Sequence, residues 1–356
     1  MLMFIFSFLC AVCLTPAVIA FYRHQGWVDD PKKQKHVKVT HQRSVPRGGG
    51  IVIFASLLIG GLLFLEFDHY LYYIFLGAFL LMMTGVLDDI FDLSPYLRLL
   101  IGILAALLVV GSGIGIAYVS NPFGAGVIHL DQPQIQFMLF GESHSIWILS
   151  SLFAVIFIVW NMNIINWAKG VDGQLPGFVS VAALFIALLA GRFADAPTQF
   201  NVASLALLLS GAFAGLLVWN FYPQKIMPGY GAGSLAGYFL SILAILSGAK
   251  VATTLMVLAI PTADGIFTIT RRILAGKSPF WGDRGHLHHK LMDVYGWGRR
   301  RIAVFYIASS ALMGGLSLIL DTTGKVIALS ICGALVFAFL IYSKSLSNKS
   351  HSATRL

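Results

Sequence analysis

The stretch Leu71-Tyr72-Tyr73-Ile74-Phe75-Leu76-Gly77-Ala78-Phe79-Leu80-Leu81-Met82-Met83-Thr84-Gly85-Val86-Leu87-Asp88-Asp89-Ile90-Phe91-Asp92-Leu93 runs an apolar segment straight into three carboxylates within five residues. The apolar part is long enough to cross a bilayer as a helix. Carboxylates in or beside a span are costly, so they are kept there for a function. On a continued helix Asp88 and Asp92 share a face, with Asp89 one step round. Crowded like charges need a compensating cation or a raised pKa. A hard divalent metal that also carries phosphate oxygens, Mg²⁺ above all, is the economical answer. Capping of the following helix is the competing use of aspartate, and it accounts for one or two carboxylates but not three.

Working outward, 58% of the 356 residues are hydrophobic and only 11% are charged. A soluble domain carries roughly 25% charged residues, so the chain reads as an integral membrane protein. Apolar runs of spanning length predict an all-α bundle of ten to eleven transmembrane helices. They fall near 2–22, 48–67, 71–87, 97–119, 146–165, 178–193, 202–220, 233–248, 251–271, 302–319 and 325–343. With the N-terminus outside and the C-terminus cytoplasmic, only Arg192, Lys250 and Lys325 of the 24 Lys and Arg lie outside. The inverse topology reverses that bias, so the positive-inside rule sets the orientation. The net charge of +9 is therefore a membrane signature, and nucleic acid is not called for. Residues 1–343 read as one polytopic domain with a cytoplasmic-face site, and 344–356 as a disordered cytoplasmic tail. Cys10, Cys13 and Cys332 fall inside spans and read as packing residues.

The polar constellations gather on one side of that topology. A basic segment, 23–47, ends in Pro46-Arg47-Gly48-Gly49-Gly50, where Arg47 could hold a phosphate bidentately. On the outer side the alternation around Asp131-Gln132-Pro133 predicts a short β-hairpin. Span five runs into Asn161-Met162-Asn163-Ile164-Ile165-Asn166-Trp167-Ala168-Lys169-Gly170-Val171-Asp172-Gly173. These asparagines are either interhelical glue or, with Lys169 and Asp172 at the same depth, a polar site; the second reading is preferred. The segment Pro228-Gly229-Tyr230-Gly231-Ala232-Gly233-Ser234 reads as a glycine-rich loop whose following helix could cradle phosphate. Span nine carries Pro261, a predicted kink, and Asp264. In the longest cytoplasmic loop, Arg284-Gly285-His286-Leu287-His288-His289-Lys290 has basic neighbours and no cysteine. That favours phosphate contact or proton transfer over zinc. A phosphate-bearing cytoplasmic substrate, a divalent metal and a lipid partner account for the set together. A transporter would place its ionisable residues near the midplane, in repeated halves.

The order of these motifs resembles the polyprenyl-phosphate N-acetylhexosamine-1-phosphate transferase family over most of the chain. The residues that carry the likeness are Asp30-Pro31, Pro46-Arg47, Asp88-Asp89-Ile90-Phe91-Asp92, then Pro261, Asp264, Arg271-Arg272 and His286-Leu287-His288-His289. The His-Leu-His-His form is similar to the UDP-N-acetylglucosamine branch. The resemblance implies transfer of a sugar-1-phosphate, GlcNAc-1-phosphate above others, from a UDP-sugar to polyprenyl (undecaprenyl) phosphate with release of UMP. It places the reaction at the first membrane step of a lipid-linked cell-envelope glycan, in the inner (plasma) membrane. It further implies Asp88, Asp89, Asp92, Asp172 and His286 as catalytic residues, with Asp89, Asp92 and Asp172 around Mg²⁺ or Mn²⁺. Arg47, Asn163, Asn166, Lys169, Asp264, Arg284, His288 and His289 would hold substrate. A homodimer is compatible with the sequence.

Two departures bear on activity. The family loop Asn-x-x-Asn-x-x-Asp-Gly-x-Asp-Gly has Lys169 at its first aspartate here, with Asp172 kept. The family's Gly-Asp-x-Gly-Ser, whose aspartate is a magnesium ligand, corresponds to a segment with no carboxylate between Asn220 and Ser234. Either Lys169 takes over part of the cation's role, or the chain is a non-catalytic homologue that binds lipid phosphate or UDP-sugar at a degenerate metal site.

Overall fold

The computed structural model describes residues 1–31, 43–121, 124, 126–139, 142–192, 197–247, 251–279 and 283–353. Lys32, Lys33, Lys35 and His36 of the basic segment therefore lie outside the described residues. Helix α1 (Leu2–His24) leads through two short paired strands, β1 (Val28–Asp29) and β2 (Val45–Pro46), to α2 (Gly49–Phe64), α3 (His69–Phe91) and α4 (Pro95–Gly111). Four more strands follow: β3 (Tyr118–Ser120), β4 (Val127–His129), β5 (Gln134–Leu139) and β6 (Glu142–Trp147). Then come α5 (Ile148–Trp167), α6 (Gln174–Gly191), α7 (Pro197–Asn220), α8 (Gly229–Leu246), α9 (Val251–Val257), α10 (Ala259–Leu274), α11 (Leu287–Asp293), α12 (Arg299–Ile319) and α13 (Thr322–Ala353).

Among the described residues, eight helices (α1, α3, α5 to α8, α12, α13) are long and apolar enough to cross a membrane, nine if bent α9–α10 is one span. The shorter apolar helices α2 and α4 stand where the second and fourth spans are predicted. The protein is thus an α-helical integral membrane protein. Backbone helix continues to Ala353, through most of the segment predicted as a disordered tail.

Local chemistry sets the ends around the aspartates. Asp68 accepts from Leu71 N–H and caps α3, and Ser94 accepts from Leu97 N–H and caps α4 with Pro95 behind it. None of the three aspartates is therefore the N-cap of α4. At the other end of α3, Asp92 turns left-handed (φ 50°, ψ 64°) and its N–H closes on Asp88 O at 2.9 Å.

Three predicted features take a different form. Two hairpins stand where one was expected: β3 pairs with β4 and β5 with β6, so Asp131-Gln132-Pro133 joins the hairpins instead of turning one. The ninth span breaks by 82° at Leu258, three residues before Pro261. Pro261 sits in the first turn of α10, where its missing N–H has no intrahelical role. The glycine-rich segment is no loop. It is the first turn of α8.

That helix is the axis of the bundle, buried along nearly its whole length. With no water to expel between helices in a bilayer, packing rests on how closely small residues let backbones approach. A methyl on Gly85 would lie 2.5 Å from Gly231 Cα, and one on Gly50 would lie 2.9 Å from the same atom. Helices α2, α3 and α8 thus meet backbone to backbone at one point. Gly237 meets the α5 backbone at Met162, and Tyr238 donates to Ile74 O of α3 at 2.9 Å. Gly85→Leu should therefore cost at least about 1–3 kcal/mol by overpacking. Detergent-purified protein should show a lowered unfolding midpoint or lost monodispersity. Gly111→Leu, whose added carbon meets nothing within 4 Å, should behave like wild type; equal behaviour of the two would refute this packing.

Candidate active site

The glycine crossing delivers the C-terminal end of α3 to the first turn of α8, and the carboxylates separate there. Asp88 is buried and accepts from Arg98 Nη1 of α4 at 2.9 Å. Asp89 Oδ2 accepts from the Tyr22 hydroxyl of α1 at 3.2 Å. Its Oδ1 is buried without a hydrogen-bond partner, and a carbon on Gly229 would lie 3.0 Å from it. Asp92 is exposed on its left-handed cap, so it does not share a helical face with Asp88.

Basic groups surround the pair. Lys169, half-buried beyond the end of α5, donates to Gly229 O at 2.7 Å and Asn166 Oδ1 at 2.8 Å. Its Nζ stands 5.9 Å from the centre of the Tyr230 ring, and Arg98 Cζ stands 5.2 Å from it. The Tyr230 hydroxyl donates to Arg98 O at 3.1 Å. Arg47 is committed to Asp29, with Nη2 and Nε at 2.6 Å and 3.1 Å from Oδ2. Met227 N–H to Pro46 O and Gly49 N–H to Met227 O tie the end of the basic segment to the approach of α8. Burial pushes the Lys169 ammonium down to about 7, Arg98 and Arg47 acting in the same direction and Asp88 and Asp89 against it.

The asparagines divide between the two uses weighed for them. Asn161 donates to Ser241 Oγ and Asn166 to Ser234 Oγ, each at 2.9 Å, which fastens α5 to α8. Asn163 donates to Val159 O of its own helix at 2.8 Å. Only Asn166, through its Oδ1 on Lys169, reaches the charged group.

A second centre lies across the α5–α6 connection. Asp264 Oδ2 is 3.0 Å from His286 Nδ1, and Oδ1 accepts from Leu287 N–H at 2.9 Å. An ionised carboxylate only accepts, so this pairing puts a proton on Nδ1 and turns Nε2 away from Asp264. His286 and His288 stack 5.7 Å apart with planes 6° off parallel, and the His288 and His289 ring centres lie 4.3 Å apart. His288 and His289 are buried with their Nδ1 atoms unpartnered. Burial, and then the neighbouring imidazoles and Arg284, lowers both; His289 falls to about 4. They are neutral near pH 7, so they would meet a phosphate as hydrogen-bonding groups and not as cations. A side chain on Gly170 would collide with the His288 imidazole. Residues 169 and 170 therefore touch one centre each, which makes this connection the joint between them.

Other expected residues are engaged elsewhere. Asp172 is buried; its Oδ2 accepts from Gln224 N–H at 3.2 Å and its Oδ1 stands 3.6 Å from Arg299 Nη1. Arg284 is bidentate on Asp293 at 3.0 Å and 2.8 Å. Among the described residues no group of three or more His, Cys, Asp or Glu is placed to hold a metal ion. Asp89, Asp92 and Asp172 do not converge, and the carboxylates that lie close together already face Arg98, Lys169 and a tyrosine. This donor set does not fit a divalent-ion site.

Several contributors went unassigned in the sequence reading: Tyr22, Asp29, Arg98, Trp167, Tyr230, Arg272 and Asp283. Buried Arg272 sits over Trp167 at 5.8 Å and donates from Nε to Asp283 at 3.1 Å. Burial opposes ionisation of Asp283, yet hydrogen bonds from Arg272, Arg271 and Gly285 N–H hold it well below the usual carboxylate range. Arg98 was the legible one, a cation at the head of an apolar run next to three carboxylates.

A model of the family described as Glycosyl transferase family 4 matches residues 71–248. The chain is 30% identical over 311 residues to a probable undecaprenyl-phosphate N-acetylglucosaminyl 1-phosphate transferase of Bacillus subtilis (strain 168), covering 85% of this chain and 80% of that protein. It is 29% identical over 304 residues to the undecaprenyl-phosphate alpha-N-acetylglucosaminyl 1-phosphate transferase of Thermotoga maritima, covering 85% of each. A decaprenyl-phosphate N-acetylglucosaminephosphotransferase of Mycobacterium tuberculosis (strain H37Rv) is 25% identical over 372 residues, 93% of this chain and 87% of that protein.

Two measurements test this geometry. Asp264→Ala strands the Leu287 N–H and His286 Nδ1, at about 1–3 kcal/mol for each group. Asp293→Ala breaks only the more exposed pair with Arg284, at no more than about 1 kcal/mol. The unfolding midpoint should fall clearly more for the first, and equal falls would remove Asp264 from its organising role. A lowered Lys169 pKa penalises the folded state below pH about 7, and the penalty fades as pH rises toward the ordinary 10.5. Lys169→Met should therefore raise the unfolding midpoint more at pH 6 than at pH 9; the reverse order would show the ammonium to be net stabilising.

Proposed function

The chain belongs to glycosyl transferase family 4, and from that membership we propose that it transfers GlcNAc-1-phosphate from UDP-N-acetylglucosamine to a polyprenyl phosphate, releasing UMP. The relatives' names supply the sugar phosphate and the lipid acceptor. The observation that carries the proposal is the Asp88–Asp89 pair at the end of α3. One buried carboxylate oxygen there, Asp89 Oδ1, has no partner, while Arg98 pairs with Asp88 and Lys169 is held on Gly229 O. The positive-inside bias favours a cytoplasmic site in the plasma membrane, reached by a nucleotide from the aqueous side and a lipid phosphate from the bilayer.

The proposed chemistry is an in-line displacement. An oxygen of the acceptor phosphate bonds to the β-phosphorus of the nucleotide sugar. The bond from that phosphorus to the bridging oxygen breaks, and its electron pair leaves with UMP. A phosphate monoester has a second pKa of about 6, so the acceptor is largely ionised and needs placement and charge neutralisation more than a strong base. Asp88, one of the expected catalytic residues, is held by Arg98. Asp89 is the better placed of the two, since its Oδ1 remains available to take the proton of a singly protonated acceptor. Arg98 and Lys169 would neutralise the diphosphate. Neutral His288 and His289 would donate or accept hydrogen bonds, and His286, oriented by Asp264, presents Nε2.

Purified protein given UDP-N-acetylglucosamine and polyprenyl phosphate should release UMP. Asp89→Asn should lower the rate by about 10²-fold or more, the order seen when a placed transition-state group is lost. Asp92→Asn, at the exposed cap, should stay near wild type. An Asp89→Asn protein of unchanged rate would remove that carboxylate from the mechanism. Binding of lipid phosphate with no UMP from any UDP-sugar would establish the non-catalytic reading instead.

A further inference from the structure

We propose that Lys169 is the resident cation of the Asp88–Asp89 centre, supplying to a bound diphosphate the charge that a divalent ion would otherwise bring, so that nucleotide binding requires no divalent metal. The inference rests on the transferase reading for the identity of the ligand and on the geometry for the rest. The Lys169 ammonium is fixed by two acceptors from different helices, Gly229 O at the start of α8 and Asn166 Oδ1 at the end of α5. An ammonium has three donors, so one N–H remains for a ligand. Asn166 is itself locked by Ser234 Oγ at 2.9 Å and Met162 O at 2.9 Å, so the acceptor is immobile. The Tyr230 ring stands against both Lys169 and Arg98 and spaces the two cations apart. Such fixed positions give charge stabilisation without reorganisation when the ligand arrives.

The charge balance argues the same way. With all four groups ionised, Asp88 and Asp89 balance Arg98 and Lys169, and Arg47 is committed to Asp29. A carboxylate at position 169 would lower the local charge by two, the charge of a divalent ion. The structure has the opposite sign there. It also lacks, among the described residues, three convergent metal donors.

The test uses the full-length protein in detergent and UDP alone as probe, so no turnover is needed. Binding is read by calorimetry in excess EDTA and again with Mg²⁺. Wild type should bind UDP equally in both. Lys169→Gln should weaken binding roughly tenfold or more, the loss of a charge-assisted hydrogen bond, and Lys169→Arg should recover part of it. Lys169→Asp should bind UDP only with the metal. In that variant, Mn²⁺ should give an immobilised paramagnetic-resonance signal that wild type lacks. Unfolding midpoints identify variants that fail to fold; wild type in EDTA and with Mn²⁺ decides the question without them. UDP binding lost in EDTA, or stoichiometric Mn²⁺ on wild type removed by Asp89→Asn, overturns the proposal. Failure of UMP release with metal-independent UDP binding intact would instead sink the transferase reading and leave Lys169 in its role.

Discussion

The Asp88–Asp89 centre is held in place by one apolar event, the meeting of Gly50, Gly85 and Gly231. Three helices touch there with no side chain between them, at a distance that dispersion favours and that any larger residue forbids. Gly85 is three residues ahead of Asp88, and Gly231 is two residues after Gly229. The crossing therefore sets how far the aspartate pair stands from the first turn of α8. Gly229 itself is left-handed (φ 65°), and added bulk would strike Arg47 O and approach Asp89 Oδ1. That turn can be made here only by the residue without a Cβ.

Burying two adjacent carboxylates at such a crossing is unfavourable unless each has its own partner. The fold partitions them. Asp88 takes an arginine from α4, Asp89 takes a tyrosine from α1, and the remaining charge is offset by Lys169 from the α5–α6 connection. Three separate elements thus converge on two consecutive residues. Arg98 is ten residues from Asp88, but Tyr22 lies 67 residues from Asp89, and that partner is paired only by the tertiary structure. The same logic explains why Asp172 and Arg284 stand apart. Each already has an ion-pair partner, Arg299 for Asp172 and Asp293 for Arg284.

What could be read in advance follows from range. Membrane-spanning helices announce themselves through uninterrupted apolar runs, a local property, and the helical framework and the aspartate centre were legible for that reason. The glycines of α8 were visible but ambiguous, because the same residues serve a flexible loop and a tight helix contact. Asp92 was placed on the face of Asp88 by assuming a helix that in fact ends one residue earlier. The hairpin was misassigned because alternation marks strands without saying which pair. The break at Leu258 escaped because Pro261 drew the kink toward itself, when a proline is at home in the first turn of the helix that follows.

The two centres on either side of the α5–α6 connection differ in electrical character, and the difference bears on how they divide the work. On the Lys169 side, charged groups are packed in opposed pairs, so a polyanion entering there meets positive groups already held in position. On the His288 side the imidazoles are buried and neutral, so they favour groups that exchange hydrogen bonds, such as hydroxyl or amide. A nucleotide sugar has both kinds of surface, a diphosphate at its middle and hydroxyls and amides at its ends. The Gly170–His288 contact holds the two environments one residue apart along the chain. Charge would be read on one side and hydrogen-bonding pattern on the other. Tolerance at Gly170 is then limited by the imidazole packed against it, so the connection behaves as a fixed spacer between the two recognitions.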